Sequence, residues 1–210
     1  MIQNRKDLKE YLMCEKSLYF GGEKGSLAVA FLLRSKMYRI WQYLRVLRHA
    51  EYYKNRHSVM DKIAFVIYHR KKYVLGHRLG FEIPENCVGT FAIYHRKKYV
   101  LGHRLGFEIP ENCVGKGLMI YHIAPVVINE DARMGEFCCI AGNFCLGNTG
   151  AGTKSPVLGN GVHAGWGSCV IGDVRVADHV ILGAGCVLTR SVGTEGAHVV
   201  GVPAKIIEKK

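Results

Sequence analysis

The sequence lacks several features that would settle a broad class at once. It has no apolar run long enough to span a bilayer: the longest one near the N-terminus covers residues 27–33, far short of the ~20 residues a membrane helix needs. No secretory signal is visible, because residues 1–9 are polar and charged with no apolar stretch behind them. The eight cysteines show no zinc-like CxxC pairing. They read as reduced thiols of a cytoplasmic protein. Charge is not in excess either. Charged residues make up 22% and apolar residues 49% of the 210, so a packed core, not disorder, is the default.

The charge that is present is uneven. From Lys116 onward there are 8 basic and 7 acidic residues, whereas the first 115 residues hold 21 basic and 10 acidic ones. A basic half can meet nucleic acid or an anionic surface, but no nucleic-acid motif accompanies it here. Part of the excess comes from an internal duplication. Residues 67–89 read IYHRKKYVLGHRLGFEIPENCVG, and residues 93–115 repeat them letter for letter. Two perfect copies are not a solenoid signature, which needs several drifting repeats. Each copy predicts a basic amphipathic helix (68–79 and 94–105) that breaks at glycine into the extended FEIP. Only the second copy runs directly into the C-terminal half of the chain. Upstream, residues 6–13 and 27–53 predict helices, with Leu32, Met37, Ile40, Tyr43, Leu44 and Leu47 at three- and four-residue spacing.

After Lys116 the period changes to six. Ile128, Met134, Ile140, Leu146, Gly152, Leu158, Ala164, Val170, Val176, Leu182 and Leu188 succeed one another at that step, and Gly152 alone has no apolar side chain. Small or β-branched residues dominate two places before each step, among them Val126, Ala132, Val162, Val174 and Val180. Six is a multiple of the strand period and not of 3.6, so the pattern predicts short strands that turn at regular intervals. Three such sides make one coil of a triangular prism with the large aliphatic inside. This is the hexapeptide β-helix. The Gly-rich stretch between Leu146 and Leu158, GNTGAGTKSP, is expected to loop out. The expected division is a helical region at 1–62, the duplicated segment at 63–115, and the β-helix at 116–207.

On these residues the chain resembles the hexapeptide-repeat acyltransferases, specifically the serine acetyltransferase-like branch. The resemblance covers roughly residues 106–207 and rests on three segments: GKGLMIYHIAPVVIN (115–129), the coils from Leu146 to Leu188, and the closing GVPAKII (201–207). It implies a left-handed parallel β-helix, acetyl-CoA as co-substrate without a metal, and a homotrimer or dimer of trimers. It implies His122 as the general base that deprotonates an acceptor hydroxyl, a role suited to an imidazole. CoA would lie outside the prism in the cleft between two subunits, with backbone contact at Gly165, Gly183 and Ala184. Arg190 and Lys205 would meet its phosphates. Outward-facing apolar positions such as Val127, Trp166 and Ile181 agree with association between copies.

Two departures bear on the acceptor. Where that branch carries a second histidine in an RHPKI-like segment, this chain has Lys154-Ser155-Pro156-Val157-Leu158, so Ser155 takes its place. Fifteen residues before the base the branch has an aspartate and this chain has Phe107, with Glu108 one position off. The expectation is therefore a sugar hydroxyl, as in capsular or exopolysaccharide synthesis. Serine, as in cysteine biosynthesis, is the alternative acceptor, and a non-catalytic hexapeptide scaffold is the alternative of another class. The remaining histidines carry no metal pattern. His163 and His179 are sixteen apart and miss the eighteen-residue stacking of coils. His69 and His95, in the duplicated helix, are expected at the surface.

Overall fold

The computed structural model describes residues 1–21, 30–31, 35–55, 90–150 and 154–207. The first copy of the duplication, 67–89, lies outside the described residues together with its His69, as do Leu32 and Gly152.

Among the described residues the longer helices that precede the strands are α1 (Arg5–Phe20), α2 (Lys36–Lys54) and α3 (Thr90–Leu105). Asn4 starts α1. Its side chain accepts from the N–H of Lys6 and Asp7 at 2.8 and 3.0 Å, and the Asp7 carboxylate reaches back to the N–H of Asn4. This reciprocal pairing satisfies donors that the first turn leaves open. Gly21, in the left-handed region at φ 60°, ends the helix, so α1 runs seven residues past the expected end at Met13. Ser35 caps α2 by accepting from Tyr38 N–H at 3.2 Å. Of the helix expected at 27–53, Ala30 and Phe31 are helical and α2 follows Ser35, while residues 27–29 and 32–34 lie outside the described residues. Ile40, Tyr43, Leu44 and Leu47 are fully buried, as their spacing predicts. The second copy of the duplication forms α3 and then, after Gly106 at φ 74°, the first strand.

The strands fall on three faces. The first face holds β1 (Phe107–Glu108), β3 (Val126–Ile128), β6 (Phe144–Gly147), β9 (Cys169–Ile171) and β12 (Val187–Leu188). The second holds β4 (Arg133–Met134), β7 (Val157–Leu158) and β10 (Arg175–Val176). The third holds β2 (Met119–Ile120), β5 (Cys139–Ile140), β8 (His163–Ala164), β11 (Ile181–Leu182), β13 (His198–Val200) and β14 (Lys205–Ile207). The chain visits these faces in rotation, and every pairing is parallel except β13 with β14. It is a stack of parallel coils with three sides.

The register reproduces the sequence period. Val127 pairs with Cys145 eighteen residues on, and Cys169 with Val187 likewise. Cys145 to Cys169 is twenty-four residues, and the extra six fall between β6 and β7, where residues 151–153 of the Gly-rich stretch lie outside the described residues. All ten apolar members of the six-residue series are buried, each contributing about 1.5–3 kcal/mol where the side chain is a large aliphatic. The parallel ladder reaches back to Phe107, which pairs with Val126. The first coil thus starts inside the second copy of the duplication, ahead of the division expected at Lys116.

Candidate functional site

The chain turns from the third face to the first at a corner that recurs in every coil. His122 is at the earliest of these turns, between β2 and β3. Gly142 comes one coil later, then Trp166, then Ala184. Consecutive turns are hydrogen-bonded: Gly167 N–H donates to Gly142 O at 3.1 Å, and Gly185 N–H to Trp166 O at 2.7 Å. The corner is narrow because it is built largely of Gly142, Gly165, Gly167, Gly183 and Gly185. At Gly165 an added Cβ would stand 2.6 Å from Leu182 O, which explains glycine there.

His122 is solvent-exposed. Its imidazole meets the Trp166 indole edge to face, with ring centroids 5.8 Å apart and planes at 74°. Among the described residues neither ring nitrogen of His122 has a hydrogen-bond partner, so both remain available. Next to it on the third face, Tyr121 donates to Cys139 Sγ at 3.9 Å and meets His163 edge to face at 6.0 Å. Burial raises the Cys139 thiol above its ordinary value, which keeps it protonated and a poor nucleophile near neutral pH.

The structure brings Gly165, Gly183 and Ala184 onto the same corner as His122. The Gly165 and Gly183 N–H groups are spent inside the stack, on Leu182 O and Val199 O at 2.8 Å each. The Ala184 N–H has no hydrogen-bond partner among the described residues. Arg190 lies exposed beyond the far end of β12, and Lys205 lies exposed on β14. These two cations therefore stand beyond the corner, at the C-terminal end of the stack. Val127, Trp166 and Ile181 are exposed at 40%, 47% and 37%, matching the outward positions read from the sequence.

Ser155 and Phe107 are placed elsewhere. Phe107 is buried, 3% exposed, and packs edge to face on Tyr43 at 5.3 Å; it faces the interior as a core residue. Glu108 is exposed on the first face, paired in register with Val127. Ser155 donates to Asn129 Oδ1 at 2.9 Å, and Asn129 comes after β3 at the next corner. One whole side of the prism thus separates Ser155 from His122. Ser155 instead lines an open cleft of about 520 Å³ on the second face with Asp131, Lys154, Val157, Asp173 and Arg175. Lys154 and Asp173 pair there at 2.9 Å. Sequence reasoning missed this cleft, because its members are brought together only by coil stacking.

His95 corrects an expectation. It is not a free surface residue: Nδ1 lies 2.9 Å from Glu111 Oε1, and Lys98 Nζ reaches the same oxygen at 2.7 Å.

The fold and the corner define a three-sided stack of hexapeptide coils that presents one exposed histidine at a glycine-built turn. No family model matches the sequence. Over 94 residues the chain is 39% identical to the serine acetyltransferase of Synechococcus elongatus, covering 44% of this chain and 38% of that protein. Over 96 residues it is 40% identical to the serine acetyltransferase of Helicobacter pylori J99, covering 45% and 56%. The chain thus spans roughly two fifths to a little over half the length of these curated relatives. Among solved structures it is similar to Neisseria gonorrhoeae serine acetyltransferase, with a TM-score of 0.63 at 19% identity over 98% of this chain and 68% of that one. It is also similar to a serine acetyltransferase in complex with CoA, with a TM-score of 0.58 at 17% identity over 97% and 70%. These structural likenesses establish the fold.

Proposed function

We propose that this chain is an acetyl-CoA-dependent O-acetyltransferase with His122 as general base. The observation that carries the reading is His122 itself, exposed and with unspent ring nitrogens on the turn that also presents Gly165, Gly183 and Ala184. His122 takes the proton of the acceptor hydroxyl as that oxygen attacks the thioester carbonyl. The C–S bond then breaks, and His122 returns the proton to the departing thiolate. The products are an acetyl ester and free CoA. An imidazole suits both halves of this cycle, because it exchanges its proton near neutrality. Ala184 N–H is the corner's open backbone donor for the pantetheine arm, and Arg190 and Lys205 are the cations for the phosphates. The coil is left-handed in this reading, and three copies associate through exposed apolar positions such as Val127 and Ile181. The helical region is accessory to the coil stack, whose first strand comes from the second copy of the duplication.

Serine is the acceptor that the relatives' names favour, and it replaces the sugar hydroxyl as the first reading. A sugar stays as a second reading on one specific observation. The two positions that depart from the serine-type pattern are both engaged elsewhere: Phe107 in the core and the Ser155 hydroxyl with Asn129.

The test is release of CoA thiol from acetyl-CoA by the purified protein, with serine and a panel of sugars, beside His122→Asn. Serine-dependent release that falls by about a hundredfold or more in the variant supports the first reading, in line with the usual weight of a general base. Sugar-dependent release moves the acceptor to the second. Full turnover by His122→Asn removes the base assigned here. A protein that neither binds nor turns over acetyl-CoA is a scaffold.

A further inference from the structure

General bases are commonly held in place by a carboxylate or carbonyl bonded to the far ring nitrogen. His122 has no such group among the described residues, and the position from which an aspartate would be expected is occupied by the buried Phe107. What His122 does have is an aromatic neighbour contributed by a coil two turns away, forty-four residues on. Trp166 meets it edge to face at 5.8 Å and 74°, an arrangement that aromatic rings favour.

The intervening coil is shaped to let this happen. In the coil between theirs the matching position is Gly142, at φ 144°. A Cβ added there would come within 2.5 Å of Trp166 Cζ3, 2.9 Å of Cε3 and 3.3 Å of Ala124 Cβ. The six-membered ring of the indole therefore packs against bare backbone, in the space that a Cβ at position 142 would fill. The Trp166 backbone is itself anchored by the bond from Gly185 N–H, and the adjoining Gly167 N–H is fixed on Gly142 O. The indole is thus backed on one side by a glycine, and its own backbone is tied into the ladder. Its remaining surface, 47% of the residue, stays open beside the histidine.

We propose that Trp166 is a positioning residue for His122, doing with an aromatic edge what a carboxylate does elsewhere: it fixes the direction in which the imidazole presents its free nitrogen. This rests on the reading of His122 as the base. Displacing a base by about 1 Å can cost a hundredfold in rate. The expected effect therefore falls on kcat and not on binding of the CoA arm, whose glycine corner is untouched.

The experiment compares Trp166→Ala, Trp166→Phe and His122→Asn in the full chain. Trp166→Ala lowers kcat by about tenfold to a hundredfold and leaves KM for acetyl-CoA within about twofold, while Trp166→Phe recovers most of the loss because a ring edge is restored. A second readout needs no turnover. An indole in contact with an imidazole is quenched when the imidazole is protonated, so tryptophan emission falls on acidification in the parent protein, and this fall is lost in His122→Asn. Wild-type kcat in Trp166→Ala, or Trp166→Phe no better than Ala, overturns the proposal while the function reading stands. Absence of His122-dependent quenching overturns the contact. Full turnover in His122→Asn with the quenching intact in the parent overturns the positioning role together with the reading on which it rests.

Discussion

Glu111 gathers three basic partners into very little space: His95 at 2.9 Å, Lys98 at 2.7 Å and Lys54 at 3.6 Å, with the carboxylate side chain 5% exposed. Burial alone would raise this carboxyl, but the hydrogen bonds and charges of His95 and Lys98 outweigh it and hold it well below the usual carboxylate range. A folded-state value below the unfolded one gives stability that is full above the unfolded value, about 4.3 for glutamate, and is lost as the pH falls toward the folded one. Glu111→Gln should therefore cost roughly 3 kcal/mol near neutrality, and the gap from wild type should narrow steadily below about pH 4.3. Urea melts from about pH 3 to 7 read this directly; a gap that is constant with pH would place the ion pairs outside the fold's stability. None of it was legible in the sequence, where His95 reads as a surface residue of a basic helix. Its partner lies sixteen positions on, past the Gly106 turn, and periodicity carries no information about a contact made across a turn. Trp166 is the same case at longer range. His122 was legible from its motif, but the indole that meets it arrives through coil stacking and a bare glycine.

Among the elements, the joint between helices and prism turns on one side chain. Arg48, fully buried in α2, donates from Nε and Nη2 to Glu15 of α1 at 2.8 and 2.6 Å, and from Nη1 to Glu51 at 3.0 Å. It also donates to the carbonyls of Val114 and Gly115 in the first coil, at 2.9 and 2.7 Å. Only a forked, always-charged group can serve acceptors spread over three elements. Arg48→Met keeps much of the volume but leaves two buried carboxylates facing each other, which should cost roughly 3–5 kcal/mol. Denaturant melts would show this as a lower midpoint; an unchanged midpoint would mean that apolar packing carries the joint without the charges. The helix α2 was readable as a stripe through Ile40, Tyr43, Leu44 and Leu47. Arg48 sits beside that stripe, yet an arginine there reads as solvated, because burial of a charge depends on partners that only the fold supplies. The start of the first coil was misplaced for a similar reason. Phe107 and Glu108 are too short a strand to show a period, and their pairing with β3 marks them as part of the stack.

At the scale of the whole molecule the prism behaves as a one-dimensional stack, in which the strands of each coil pair only with those of the coils next to it. This is why its core was so legible. One residue in six points inward on every side, and the stacking of coils turns a sequence interval into a column of contacts. The same property predicts that equal cavities will not cost equally. Leu146 and Leu188 are both buried, 0% and 1% exposed, on the same face. Leu146 lies in β6 with β3 on one side and β9 on the other, whereas Leu188 lies in β12, the last strand of that sheet, with β9 as its one strand neighbour. A leucine-to-alanine change removes the same transfer energy at both, and the remainder of the cost depends on how far the surroundings relax into the cavity. Coils pinned from both sides relax little, and a terminal strand relaxes more. Leu146→Ala should therefore cost toward the upper end of the roughly 2–5 kcal/mol range and Leu188→Ala toward the lower. Amide exchange should locate the damage as well. In Leu188→Ala, faster exchange should be confined to β12 and β13, and in Leu146→Ala it should spread through coils on both sides. Equal costs with equally local exchange would show that the coils do not depend on their neighbours, and that the stack is a row of independent units instead of a cooperative solid.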